Sequence, residues 1–315
     1  MTPAPPIAAQ LWIRGQMRAN SEGVDAVVPA PSARLMRQGQ SVARRSVLAG
    51  LLGIAALRPA RAVAPLRIGG TGGALGALQL LVGAFRAVDP RIEIEVLPSL
   101  GTSGGLRALQ AGVVDLAVAA RDLTERERAA GLQGREYART PLIFATGPDI
   151  GIRDLTCDDV ARIYAGEMTE WPDGTPLRLV RRPPTEADWT VLAGLSPAMA
   201  RAIDLAMRRP GLVTAATDQD NADTIEGVRG SFGLLALGQM LSERRRLTPF
   251  ALDGIGPEEA LAGLDRWRLP RRLYIVTSGA RTSPEARAFL EFLSGPAAGA
   301  LLAECGHLPI GGVPE

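Results

Sequence analysis

The chain has 315 residues, 46% of them apolar and 4% aromatic, with 35 basic and 33 acidic side chains, one histidine and two cysteines. Every basic residue is arginine, which excludes chemistry that needs a lysine amine: a Schiff base, or the phosphate-gripping lysine of a P-loop. Residues 1 to 62 hold eight arginines and two acids, so the remainder carries 27 basic against 31 acidic residues. That mild acidic excess offers no surface for nucleic acid or an anionic membrane.

Residues 41 to 62 place Arg44 and Arg45 ahead of an apolar run from Val47 to Leu57 and an Ala60-Arg61-Ala62 ending. Such a run spans only ~16 Å as a helix, too short for a bilayer core of ~30 Å. The pattern is that of a twin-arginine export signal cut near Ala62, which predicts a periplasmic mature chain. Residues 1 to 40 are rich in proline, alanine and arginine without apolar periodicity, and the domain reading takes 1–62 as a disordered leader plus signal peptide. Cys157 and Cys305 are expected as free thiols. Two distant cysteines and the lone His307 make no zinc spacing, so neither a metal nor a cofactor is expected.

From Leu66 short apolar runs alternate with amphipathic helices. LRIGG reads as a strand, and Leu75, Leu78, Val82 and Phe85 recur at helical spacing behind it. Ile92, Ile94 and Val96 alternate with glutamates as a second strand, a short helix is expected near Leu106 to Ala111, and VVDLAVAA gives a third strand. Such βαβ units build a mostly parallel sheet with helices on both faces. A strand around Tyr137 to Thr146 carries the chain out of a first lobe, and LTPFAL, residues 247 to 252, is expected to bring it back. The predicted lobes are 63–143 with 246–315, and 144–245.

Two loops carry the candidate chemistry. GGTGGALG, residues 69 to 76, ends a strand in glycine and threonine directly before a helix, where exposed N–H groups attract an anion. LGTSGGLRALQAG, residues 100 to 112, repeats the arrangement with Thr102, Ser103, Gly104 and Gly105, and an N-cap serine explains it equally well locally. The carboxyl ends of parallel strands are where ligands sit in α/β sheets.

These loops, together with LTCDDVARIYAGEMTEWPDGTPLRLVRRPP and DNADTIEGVRGSFGLL, resemble in this order the periplasmic phosphate-binding proteins of ABC transporters, over nearly all of Pro65 to Gly312. The resemblance implies an α/β, two-lobed type II venus flytrap with two hinge crossings. It also implies a solute-binding protein that holds phosphate or a phosphate-like anion, works as a monomer and meets a membrane ABC permease. On the matching positions the ligand groups are Thr71 and Gly72 in the first loop, Thr102 or Ser103 with Gly104 in the second, and Arg182, with Thr185 after it. Arg121 resembles family branches that carry arginine there.

Two departures stand out. The serine-glycine-threonine cluster after the arginine is replaced by Thr185-Glu186-Ala187-Asp188, and the family's buried aspartate aligns with Ala120, leaving Asp122 two places along. A carboxylate a few ångströms from a buried anion is repelled by several kcal/mol, of order ~4 at an effective dielectric near ~20. The alternative function is therefore a sensor or ligand-binding module that has lost the phosphate site. A serine hydrolase needs a histidine, and His307 lies in a glycine- and proline-rich tail where a surface or capping role is expected, so no catalytic residue is assigned.

Overall fold

The computed structural model describes residues 64–310. The leader and twin-arginine signal lie outside the described residues. In chain order the strands are β1 (Leu66–Gly70), β2 (Ile94–Val96), β3 (Leu116–Ala119), β4 (Gln133–Thr146), β5 (Asp154–Leu155), β6 (Arg178–Arg181), β7 (Val213–Thr214), β8 (Ser231–Ala236), β9 (Thr248–Pro249), β10 (Ala251–Leu252), β11 (Pro270–Thr277) and β12 (Leu308–Pro309). Eight of them follow the order β2-β1-β3-β11-β4-β8-β6-β7, with β9 and β12 pairing onto β4 and a separate β5–β10 pair. The outer strands of both halves are parallel, as crossover helices require, and the centre is antiparallel.

β4 joins the two halves because its fourteen residues are shared between them. Its first part, Gln133 to Pro141, pairs with β11, and its last part, Leu142 to Thr146, pairs with β8. Each half has its own core. In the first, Leu78, Leu81 and Phe85 of the helix Leu75–Val88 pack on Ile68, Leu116 and Phe289, with Phe85 and Phe289 edge to face at 5.4 Å. In the second, Phe144 and Phe232 stack at 5.3 Å and Trp171 lies on Phe250 at 5.6 Å. Each such fully buried side chain is worth about 1.5–3 kcal/mol of transfer free energy.

Helix starts are fixed by local side-chain caps. Thr124 with Glu127, Thr156 with Asp159 and Thr217 with Asp220 form reciprocal capping boxes, and Ser196-Pro197 and Ser283-Pro284 open two more helices. Three features differ from expectation. The residues 247–252 give only the two-residue strands β9 and β10, and Phe250, Leu252, Leu264, Trp267 and Leu269 all pack in the second core. The antiparallel return to the first half is made instead by β11, which lies alongside β4.

The second difference is the helix expected near Leu106, which spans Gly101–Gln110. It starts early because Leu100 N–H is tied to Gly70 O at 3.1 Å, and because Gly105 has no side chain to strike Gly70, whose Cα lies 2.6 Å from where a Cβ would stand. Thirdly, His307 is not at the surface. It is 2% exposed, packed against Gly238 beside β4 and the helix Leu237–Ser242. Cys157 and Cys305 are free, and among the described residues no helix is long and apolar enough to cross a membrane.

Candidate anion site

The first-lobe wall of the site is the turn that follows β1. Gly70 has φ 149°, a conformation that a Cβ would forbid by entering the Val118 carbonyl. This turns Thr71 so that its N–H bonds Val118 O at 2.9 Å and leaves Gly72–Ala74 as a tight turn opening the helix Leu75–Val88. Gly72 and Gly73 then meet side chains from elsewhere at close range. A Cβ on Gly72 would stand 2.8 Å from Ser99 Oγ and 2.9 Å from Asp218 Cβ, and one on Gly73 would collide with Arg271 Nη1. Gln219 Nε2 donates to Gly72 O at 2.9 Å, which ties the helix Asp218–Gly227 directly to this turn.

Two buried guanidinium groups lie near the turn, Arg271 against Gly73 and Arg182 through Asp218. Arg182 follows β6, and its side chain is 7% exposed; Nη1 donates to Ala215 O at 2.7 Å and Nη2 to Glu186 Oε1 at 3.1 Å. Arg271 is the second residue of β11, on the same inward parity as Leu273 and Ile275, and its side chain is 2% exposed. It pairs with Asp188 through Nε at 3.2 Å and through Nη2, and donates from Nη1 to Asp218 Oδ1 at 3.3 Å. The other Asp218 oxygen, Oδ2, lies 3.8 Å from Arg182 Nη2, so one carboxylate bridges both arginines.

Burial opposes each of these charges, and pairing decides the outcome. For Asp218 burial works against ionisation, but Arg271, Arg182 and the Gly73 backbone N–H together hold it below the usual carboxylate range. Arg271 is pushed down by burial and raised further by Asp188 and Asp218, ending above the ordinary arginine value. Glu186 is the exception: burial raises it, Arg182 only partly compensates, and Asp218 adds to the rise. Two cations against Glu186, Asp188 and Asp218 leave the cluster one negative charge in excess when all are ionised. Beside it Tyr164, Val180, Arg182, Asp188, Trp189 and Leu234 line a cavity of about 10 Å³, room for one water molecule.

Of the residues expected from the sequence, the structure brings Gly72 and Arg182 into this cluster, with Thr71 buried just behind the turn. Thr102, Ser103 and Gly104 form the first turn of the helix Gly101–Gln110 rather than a loop before it. Thr102 Oγ1 accepts from Ala120 N–H at 3.0 Å, Gly104 is half-buried and Ser103 is exposed. Arg121, open from the sequence to a cationic clamp or a surface ion pair, is held here in an ion pair: Glu127, the capping-box acid of the next helix, accepts from both its Nη atoms at 2.8 and 2.9 Å. Asp122 is exposed and pairs with Arg128 at 2.6 Å, and Thr185 is exposed.

Arg271, Asp218 and Gln219 were not singled out from the sequence. Arg271 left a signal, an arginine at an inward position of an apolar strand. Asp218 and Gln219 left none, because an acid in the first turn of a capped helix is explained by the helix dipole alone.

A family model described as PBP superfamily domain matches residues 55–296. The chain belongs to the PBP superfamily. Within the PBP superfamily it is 24% identical over 221 residues to the phosphate-binding protein PstS of Borreliella burgdorferi, covering 67% of this chain and 77% of that one. It is 23% identical over 249 residues to PstS of Bacillus subtilis, covering 74% and 78%. The fold is shared with a phosphate ABC transporter substrate-binding protein from Clostridium perfringens solved with bound phosphate (TM-score 0.66, 18% identity, 78% of this chain and 99% of that chain).

Proposed function

We propose that this PBP-superfamily chain is the solute-binding protein of an ABC transporter, capturing phosphate or a phosphate-like oxyanion between two lobes and presenting it to a membrane permease. The observation that carries the reading is the meeting of two buried arginines on Asp218 beside the Gly72–Gly73 turn at a helix start, Arg271 touching the turn itself and Arg182 reaching it through that carboxylate. Backbone N–H groups at such a turn and forked guanidinium donors are the groups that bind a desolvated oxyanion. The relatives named for phosphate binding support the choice of ligand class.

In this reading no bond of the ligand is made or broken. Binding works through differential contacts: the closed state offers the Gly73 N–H and both guanidinium groups at once, and opening the lobes separates them. The lobes pivot where β4 passes from β11 to β8 and where the chain enters β11 at Pro270, two neighbouring crossings in one sheet. The excess negative charge requires that an oxyanion enter with a proton or in place of a carboxylate. The leader at 41–62 supports a periplasmic location reached by the twin-arginine route, with the monomer as the working unit.

Calorimetric titration of inorganic phosphate into the chain from Val63 onward tests the reading. Micromolar or tighter binding that Arg182→Ala weakens at least a hundredfold is expected, since it removes a charged hydrogen-bond donor. Binding unchanged by this substitution would overturn it.

A further inference from the structure

Asp218 does in this structure what a bound oxyanion would do. Its carboxylate lies beside Gly73, with Oδ1 3.6 Å from where a Cβ on that glycine would stand, places one oxygen 3.3 Å from Arg271 Nη1 and the other 3.8 Å from Arg182 Nη2, and is itself 5% exposed. Arg182 and Arg271 already have a carboxylate each, in Glu186 and Asp188. Charge balance between these pairs is complete without Asp218, so the third acid is not needed to neutralise the arginines. Around the same turn, Ser99 Oγ and Gln219 Oε1 are shielded from solvent and have no hydrogen-bond partner among the described residues. Both stand within 3 Å of a Cβ position on Gly72. The turn therefore has a hydroxyl donor to spare that the Asp218 carboxylate does not use.

We propose that Asp218 is an affinity-setting residue: a tethered anion that occupies the oxyanion position, holds the second lobe against the first, and must be displaced by any external ligand. This deepens the oxyanion reading and rests on it for the identity of the competitor. A side chain carried on the adjacent helix competes at a high effective concentration, so it lowers the apparent affinity by the fraction of molecules it keeps self-occupied. Gln219, next in the chain, adds its hydrogen bond to Gly72 O and so couples the displacement of Asp218 to lobe opening. Anions that cannot engage both guanidinium groups at once fail to displace it, which makes Asp218 a filter as well as a latch.

Asp218→Asn is the direct test, because it leaves the Arg182–Glu186 and Arg271–Asp188 pairs balanced. Two measurements are made on wild type and variant: radius of gyration by solution scattering in phosphate-free buffer, and phosphate affinity by calorimetry. Expected are an expanded radius for the variant, contraction on adding phosphate, and at least tenfold tighter phosphate binding. An unchanged radius overturns the proposal, and so does an affinity that is equal or weaker. If the variant expands while neither protein binds phosphate, the latch stands and the phosphate reading falls. If both bind equally with no expansion, the reverse holds. Should Asp218→Asn fail to melt cooperatively, Asp218→Ser goes through the same two measurements, judged by the same criteria.

Discussion

The two walls of the cleft solve the problem of facing an anion in opposite ways. The first-lobe wall, Thr71 to Gly73, is neutral and made of backbone, with glycines where any side chain would strike Arg271 or Asp218. The second-lobe wall, Arg182 with Glu186, Asp188 and Asp218, is charged and rich in acid, and Arg271 reaches it from β11 of the first half to leave one negative charge in excess. A backbone wall attracts an anion at little desolvation cost, because its dipoles are fixed in place by β1 and the following helix. A charged wall must be balanced or remain solvated, and this one is brought near balance only by Arg271 from the opposite side. The difference shows that cationic residues in a cleft measure anion affinity only after the acids around them are counted.

The largest expected effect separates charge from backbone. Arg271→Ala removes the partner of Asp188 and one of the two partners of Asp218, leaving buried carboxylates underpaired. Breaking a buried pair from one side costs about 3–5 kcal/mol, so denaturant unfolding should show a loss in that range. A loss under about 1 kcal/mol would mean that water reaches the pair and that the charged wall is not a buried one.

A test of comparable size lies in the hinge and marks where acid sensitivity comes from. His307 is buried with its pKa lowered to about 4, burial outweighing the Cys305 and Leu302 backbone groups that favour the proton. Its unfolded value is near 6.5, so the folded state binds the proton less readily. Stability from this group is full above about pH 6.5 and falls as the pH drops toward about 4, by roughly 3 kcal/mol in all. Across that window the stability of wild type relative to His307→Leu, followed by melting, should fall by that amount as the pH drops. Parallel curves would assign the acid loss to the cleft carboxylates instead.

The neutral wall is tested by Gly73→Ala. A methyl group there meets Arg271 Nη1 and would need the arginine to shift. Overpacking of this kind costs about 1–3 kcal/mol, less than losing the charge but enough to weaken phosphate binding together with stability. An alanine variant with wild-type melting and binding would show that the turn is not pressed against the arginine.

What could be read in advance follows the same division. Glycine and hydroxyl patterns at strand ends, apolar spacing and capping boxes are local, so the strand-turn-helix around Gly72 and the starts at Thr124 and Thr156 were legible, whereas the helix read from Asn221 starts three residues earlier behind Thr217. Arg182 was reached through the family resemblance. Asp218, Gln219 and Arg271 belong to the cluster only because β11 and the helix Asp218–Gly227 arrive there from 53 positions apart. Nothing local distinguishes Asp218 from an ordinary helix-start acid. Ser103 is exposed on its helix for a related reason: the helix begins at Gly101, set by packing on Gly70, which residue type does not announce.

The smallest expected effect concerns Glu186, and it asks whether the charged wall is tuned by protons. Burial raises its pKa, with Arg182 opposing and Asp218 and Asp188 adding to the rise, while Arg271 also faces it. On acidification Glu186 therefore takes up a proton before an ordinary glutamate does, and Asp218, held below the usual range, stays ionised. The cluster then loses its excess negative charge and an oxyanion is repelled less. Below its second ionisation phosphate keeps a single charge, so a change in affinity between about pH 6 and about pH 4.5 belongs to the protein. Binding should tighten across that interval by no more than tenfold per pH unit, the limit for one linked proton. Glu186→Gln, neutral at every pH, should bind more tightly than wild type at pH 6 and lose most of the dependence. A variant that keeps the full slope would move the linked proton to another group.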